Sequence, residues 1–432
     1  MGGLACALAL KKHGFDRVEV YESASNLGFV GAGIQMAPNM ARILDRLGCW
    51  DDIAKEATNI KSTSIRPEGN TNKELAFVEL LDIKENYGYP HMVGHRSSLA
   101  GNIYEGCKRE KVAFFFSTTV ESITTFGPKP SFIAQPRHGN AYTVEADIIL
   151  AADGIKSNCR VSMLKELNAD ANVEDTGQSA YRIMLKREQM ENDPELKELI
   201  DSDRVTRWIG EKRHIIAYPV SNKNIYNIST AHPDTHFAEA PSATYTTRGS
   251  KSDMFHTYSS FGELCHRMLD LVPEGEVCEW KLRVHAPLPT WVHGSVALVG
   301  DACHPTLPHL NQGAGQAIED AGVLAVVLSK CPDGSPQSIN KALQVYERVR
   351  KERAELLVGL AAASGKALQL GEGAAKEERD RQFAALRAGK GPVPDKWADG
   401  DTQRMIFGHD CMKVAEESFD EIFKSLTQDA RL

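Results

Sequence analysis

Nine cysteines are scattered along the chain, and no two of them stand as Cys-x-x-Cys. The odd count and wide spacing exclude a disulfide framework and a cysteine-built zinc site, and they suit a reducing compartment. Long apolar runs are also missing, so no membrane span is expected, and neither is a secretory leader. Basic charge is not in excess: 50 Lys and Arg face 58 Asp and Glu, for a net charge of -8. A nucleic-acid partner is therefore not expected. No internal repeat or low-complexity tract interrupts the sequence. What remains is ordinary globular composition, 42% hydrophobic and 25% charged over 432 residues, enough for two or three domains that share large cores.

The most informative stretch runs from Ser295 to Pro305 and on from Asn311 to Ala321. Val296 to Val299 is an apolar run of strand length. Gly300-Asp301 places a carboxylate where that strand stops. Gly313, Ala314 and Gly315 then open a helix. The glycines allow close approach of a ligand to the backbone, and the helix start offers free N–H groups and a positive dipole end. A polyol beside an electron-rich ring suits such a pair of groups. Near the start, Met1 to Leu10 is rich in alanine and leucine and reads as a helix ended by Gly14. Arg17 to Glu22 reads as a strand that ends in an acid. Together they form the second half of a dinucleotide-binding βαβ unit, with Gly3 as the third glycine of G-x-G-x-x-G and Glu22 as the acid for a ribose hydroxyl. The first strand and the first two glycines of that unit are expected just before Met1 and are not in the sequence. A cut chain or a misassigned start would account for this. A chain that truly lacks the strand would lose part of its pyrophosphate cradle. Asp147 to Ser157 is a third strand and turn, with Asp153-Gly154 at the strand end and Arg160 following. Asp-Gly is also a common plain turn.

These motifs resemble the class A aromatic hydroxylases, within the salicylate hydroxylase-like FAD monooxygenases. The resemblance also covers the Gly28 to Gln35 loop, including Gly33 and Gln35, and the His95-Arg96 helix start. It extends to Trp397 and to Phe407 through Asp410, which look like the C-terminal pattern of fungal members. It implies that FAD is held by Gly3, Glu22, Gly33, Gln35, Arg96, Asp153, Asp301, Gly313, Ala314 and Gly315. Asp301 would bind the ribityl chain, and the helix start would face the flavin ring. The implied fold is α/β: a Rossmann-like FAD-binding domain of the para-hydroxybenzoate hydroxylase type, with an inserted, mostly antiparallel substrate sheet and a helical C-terminus. The expected division is 1–62, 89–165 and 283–335 for the FAD-binding parts, 63–88 and 166–282 for the substrate domain, and 336–432 for the helical region.

Short strand-like runs recur between 166 and 282. A strand over Arg213 to Pro219 puts Lys212, His214, Ile216 and Tyr218 on one face. Histidine suits proton transfer because its ordinary pKa lies near neutrality. In the resembling hydroxylases, strand histidines and tyrosines orient and deprotonate a phenol, and an arginine placed like Arg182, in the Tyr181-Arg182 pair, works with the tyrosine over the substrate. The catalytic candidates are Arg182, His214 and Tyr218. A guanidinium is suited to capture a carboxylate or phenolate. The implied reaction is hydroxylation of a small phenolic or hydroxybenzoate-type ring in aromatic catabolism or fungal secondary metabolism. It uses NAD(P)H and O2, through a flavin C4a-hydroperoxide. The alternatives are oxidative dearomatisation or epoxidation of a larger biosynthetic substrate, or a degenerate FAD-poor ligand-binding chain. The Trp-x-Trp-x-Ile-Pro signature of flavin-dependent halogenases is absent. No metal is expected. The chain is expected to be a monomer or homodimer, and cytoplasmic. The ending Ala430-Arg431-Leu432 is similar to a peroxisomal signal, which also arises by chance. The charged run Lys376 to Arg381 is read as a solvated helix face.

Overall fold

The computed structural model describes residues 1–27, 32–69, 73–80, 82–170, 172–235, 246–387, 394–397 and 399–429. Residues 28–31 of the glycine-rich loop, residues 389–393 of the late loop and the Ala430-Arg431-Leu432 ending lie outside them. The first helix, Gly2–Lys12, carries Lys11 and Lys12 in its last turn, where cations suit the dipole, and Gly14 leaves it at φ 88°. Its residues Leu4 to Ala9 are all buried. The reason is packing on two sides. A Cβ at Gly2 would stand 3.3 Å from Val299 and 3.4 Å from Ala317, while a Cβ at Gly106 would stand 2.8 Å from Leu8. Small residues let three helices and a strand close up there.

The nucleotide-type sheet is in two pieces. Glu19–Glu22 pairs in parallel with Ala113–Phe116. Ile149–Ala151 pairs in parallel with Val296–Leu298, which pairs in turn with Val292–His293. Between the pieces lies a cavity of about 1300 Å³, lined on one side by Val20 and Tyr21 and on the other by Ile149 and Leu150. This is the place where a dinucleotide-binding unit puts its first strand. Hydrogen-bond parity shows which groups face the cavity. Ile149 N donates to Ser295 O and Val299 N donates to Ala151 O, so residues 149 and 151 turn their peptide groups to the neighbouring strand. Leu150 must turn its own toward the cavity. By the same rule Ala113 N, bonded to Val18 O, leaves Tyr21 facing the cavity. Amide exchange should therefore be fast at Tyr21 and Leu150 and slow at Ala297, which lies between two partners; equal protection at all three would contradict the split sheet.

A second sheet of eight strands stands over the first. Its order is Thr246–Arg248, Cys278–His285, Val173–Lys186, Ile225–Pro233, Arg213–Val220, Arg204–Gly210, Ser62–Pro67 and Ala76–Glu79. All its pairs are antiparallel except Arg204–Gly210 with Ser62–Pro67, which is parallel. Alternation divides its side chains. Tyr181, Ile183, Ile215, Ala217, Tyr226 and Ile228 form an outer core under the helices Pro194–Asp201, Lys251–Thr257 and Glu263–Asp270. His214, Ile216, Tyr218 and Arg182 take the inner side. Lys212 does not join them, because it sits in the preceding turn at φ 55°, outside the strand.

The helical C-terminus corrects the reading of its charged runs. Arg379 is buried, and its guanidinium donates to Leu368 O at 3.2 Å and pairs with Asp380 at 2.8 Å, so the Lys376–Arg381 face is not simply solvated. In the long helix Pro336–Leu368, Arg350 has no exposure and grips the helix Gly313–Ser329. It meets Glu319 at 2.5 Å, Asp320 at 2.9 Å and Gln316 Oε1 at 2.6 Å. Burial pushes the Glu319 carboxyl up, but the charges of Arg353 and Arg350 outweigh it, and its pKa ends far below the carboxylate range. A folded pKa below the unfolded one means stability that is complete above the unfolded value and lost as pH falls toward the folded value. Arg350→Ala should cost about 3–5 kcal/mol, because buried Asp320 loses its guanidinium partner and Glu319 is left with Arg353 alone. Urea titrations should show that gap at pH 7, and the gap should narrow below about pH 4.

Candidate active site

The strand Val296–Leu298 is wholly buried, and Gly300 follows it at φ 62°. A Cβ on Gly300 would stand 3.1 Å from that of Ala317, and Gly300 N donates to Asp320 Oδ2 at 2.9 Å. The turn thus needs glycine twice over, for its dihedral and for its closeness to the helix. Its effect is to push Asp301 outward, exposed, with no hydrogen bond to its carboxylate among the described residues. The helix Gly313–Ser329 is anchored from behind. Asn39 Nδ2 donates to Gln312 Oε1 at 3.0 Å and to Glu319 Oε1 at 2.7 Å, and a Cβ on Gly315 would come within 3.0 Å of Gln312. The N–H groups of Gly313 and Ala314, in the first turn, keep no intrahelical partner.

Arg96 is the first residue of the helix Arg96–Arg109, whose cap is His95: its Nδ1 accepts from Ser97 N at 3.2 Å. The Arg96 guanidinium has no hydrogen-bond partner among the described residues, and its charge is felt across the site. The Met1 amine is lowered by burial first and by Arg96 next, and Asp301 and Glu22 work against both. Met1, Arg96, Asp301 and Glu22 therefore share one locus. Gly3 packs with room for a Cβ only at 3.4 Å from that of Ala152. Other expected residues are engaged differently. Asp153 accepts from Ser157 Oγ at 2.5 Å and Cys159 N at 3.1 Å, so its carboxylate starts the next helix. Gly33 N donates to Asn227 Oδ1 at 2.6 Å, joining the small antiparallel sheet of Gly33–Met36, Met92–His95 and Thr58–Asn59 to the roof sheet. Gln35 Oε1 meets His91 Nε2 at 3.1 Å, while its amino group has no partner among the described residues.

The roof supplies the other half. Arg182 lies over the Trp280 ring at 4.9 Å and makes no ion pair among the described residues. Desolvation lowers it to about 10, Arg96 adds to this, and Tyr218, Cys278 and Asp301 oppose it. Tyr218 is buried, and burial raises its hydroxyl well above the ordinary value, against the pull of Arg182 and Arg96. Its hydroxyl stays protonated and able to donate. The near-neutral pKa expected of His214 does not hold. Burial, His309, Arg207 and His232 all push it well down, so it is neutral at neutral pH. Three further neighbours come in from elsewhere: His309, a loop residue expected to be framework and not a base, with its ring 5.3 Å from that of His214, and two the sequence reading missed, Gln369, bonded to His214 Nδ1 at 2.8 Å, and Trp280. No local pattern marks them, because each comes from a segment distant in sequence. Cys303, His304 and Asp320 also converge, but Asp320 already accepts from Arg350, His304 and Gly300, so that group is held by charge pairing.

An acid turned out at a strand end, a free helix start beside it and a separate roof sheet above them are the parts of a flavoprotein monooxygenase. The chain belongs to the FAD binding domain family, whose model matches residues 1–361, and it is of the class A aromatic hydroxylase type. It is 29% identical to the FAD-dependent monooxygenase OpS4 of Beauveria bassiana over 97% of this chain and 95% of that one. It is 31% identical to 3-hydroxybenzoate 6-hydroxylase 1 of Aquipseudomonas alcaligenes over 82% and 83%. The fold matches CtdE in complex with FAD and substrate 4 at TM-score 0.80 and 19% identity, over 99% of this chain and 97% of that chain. A salicylate hydroxylase substrate complex matches at TM-score 0.73 and 24% identity, over 94% and 95%. No described helix is long and apolar enough to cross a membrane.

The residues present suit FAD. The unpaired Arg96 guanidinium and the free helix start are donors for anionic oxygens, and the unpartnered Asp301 carboxylate is an acceptor for a hydroxyl. Asp301→Ala should weaken FAD binding about tenfold or more, the worth of a hydrogen bond to a charged group. Flavin retained per folded chain measures this, and full retention would remove Asp301 from the cofactor site.

Proposed function

We propose that the chain hydroxylates a small phenolic or hydroxybenzoate-type aromatic ring, with NAD(P)H as reductant and O2 as oxygen source. The observation that carries this reading is the electrostatic coupling of Arg182 and Tyr218, on the inner face of the roof sheet, to Arg96, and of Arg182 also to Asp301. The roof groups therefore lie within electrostatic reach of the groups read as cofactor-binding. Bound FAD, reduced by the nicotinamide, supplies the activation of O2. The chain's own residues do the rest. Arg182, stacked and without a carboxylate partner, takes an anionic oxygen of the substrate. Tyr218 or His214, both neutral and about 13 Å apart along one strand, orients the phenolic oxygen by hydrogen bonding. The roof sheet keeps water from the reacting ring. The names of relatives support the substrate class: they include 3-hydroxybenzoate 6-hydroxylase and 6-hydroxynicotinate 3-monooxygenase.

The test is NAD(P)H consumption over a panel of hydroxybenzoates and polyketide phenols, with products identified. Hydroxylated small phenols support the reading; dearomatised or epoxidised larger products would replace it. On the best substrate, Arg182→Ala should raise KM by about tenfold or more through loss of a charged hydrogen bond, with no rescue at high pH. Tyr218→Phe should keep its FAD while more NAD(P)H is lost as hydrogen peroxide. Normal coupling in both variants, or flavin loss in step with activity, would remove these residues from the substrate site.

A further inference from the structure

Gln369 ends the long helix Pro336–Leu368, and its position is fixed on both sides. Its backbone N–H donates to Gly365 O at 3.2 Å, and its carbonyl accepts from Lys212 N at 3.0 Å, just before the strand Arg213–Val220. Its side chain joins two strands of the roof. Gln178 Nε2 donates to Gln369 Oε1 at 3.2 Å, and Gln369 Nε2 donates to His214 Nδ1 at 2.8 Å. Gln178 stands where the strand Val173–Lys186 shifts register after Asp175, so it too is placed by the sheet. With the two amides assigned this way, the polarity of the chain is set: donor to acceptor, from Gln178 through Gln369 to the imidazole.

We propose that Gln369, braced by Gln178, is a positioning residue that keeps the proton of neutral His214 on Nε2, so that His214 meets a substrate oxygen as a hydrogen-bond donor and not as a general base. The inference rests on the reading of this site as a phenol pocket. A nitrogen that accepts an N–H carries no proton of its own, and neutral imidazole has one proton to place. With Nδ1 accepting, that proton is on Nε2. To take a phenol proton there, the ring would first have to move its own to Nδ1, N–H against the N–H of Gln369. Ionising the ring is no easier. The ring of His309 packs on His214, the charges of Arg207 and, from the outer side of the sheet, His232 also reach it, and all of them oppose a second proton, as does burial.

A second observation points to a ligand at this end of the site. Both ring nitrogens of His309 are buried without a hydrogen-bond partner, and that ring lies edge-to-face with His214 at 5.3 Å. Buried polar groups in this state usually meet a ligand or water. His309 is itself lowered to about 4 by burial and Arg207, so it too is neutral. The pair offers neutral ring nitrogens at the start of the roof strand that carries Tyr218 four residues on. Such a site takes a substrate that is already an anion at the oxygen it binds, with the proton released to solvent beforehand.

The test uses the flavin-loaded protein with ¹⁵N-labelled histidine, and His214→Gln assigns the signal. The expected result for the native chain is a neutral ring protonated at Nε2. Gln369→Glu should reverse it. A carboxylate would hold the proton on Nδ1, raise the titration of His214 into the pH 5–8 range, increase KM for the best phenol about tenfold, and add an acid limb to the kcat profile, with flavin content unchanged. Gln369→Leu should release the tautomer and raise KM without the new limb. A native ring protonated at Nδ1 overturns the proposal. So does a Gln369→Glu enzyme with a reversed tautomer and unchanged KM and pH profile. If no phenol is oxidised at all, the functional reading fails, and the ¹⁵N signal alone still decides the tautomer.

Discussion

The site depends on one buried guanidinium. Arg350 holds Glu319 and Asp320 on the helix Gly313–Ser329, and those two carboxylates hold everything around them. Asp320 fixes the turn at Gly300 and the ring of His304, and so sets where Asp301 emerges. Glu319 takes Asn39, which in turn holds Gln312 at the helix start. Charges buried this deeply are tolerated only when each has its partner. The groups expected to meet the cofactor are therefore held in place, because the groups behind them cannot move without leaving a charge unpaired.

The two sheets divide the work. The floor is built on two parallel strand pairs and opened by a cavity of about 1300 Å³ between its two pieces. The roof is nearly all antiparallel and two-faced: its outer side is an apolar core, and its inner side carries Arg182, His214 and Tyr218. Under the roof, Val93 packs with Ile216, Tyr218 and Val220, and the Gly33–Asn227 hydrogen bond stands beside them. A Cβ on Gly33, in the small antiparallel sheet, would come within 2.5 Å of Asn227, so only glycine lets the roof settle there.

The roof chemistry favours anions. Tyr218 is held protonated by burial, His214 and His309 are held neutral, and Arg182 keeps its charge while stacked on Trp280. Fixed neutral donors beside a cation with no ion pair among the described residues would stabilise negative charge on a ring oxygen bound there. A ring that carries such charge is a better nucleophile toward an electrophilic oxygen. The protein's contribution is then mainly placement and field.

Much of this could be read along the chain. Val296 to Val299 with Gly300-Asp301, and Gly313 to Gly315 after them, declare a strand, a turned-out acid and a helix start. The evidence is local, since a strand-to-helix turn is specified by its own residues. The alternation in Arg213–Val220 likewise places His214 and Tyr218 on one side, because the pleat has a period of two. Other features were decided only by the fold. Asp153 is spent on starting a helix, and Arg379, read as solvated, is buried. The Gln178–Gln369–His214 chain joins residues 155 and 191 positions apart. A pKa depends on desolvation and on charges brought near by tertiary packing, and neither is written in a residue's neighbours along the chain. The sequence by itself determined which elements form and which carry the cofactor motif; the tertiary structure alone decided which side chains are charged, which are already engaged, and which remain free to meet a substrate.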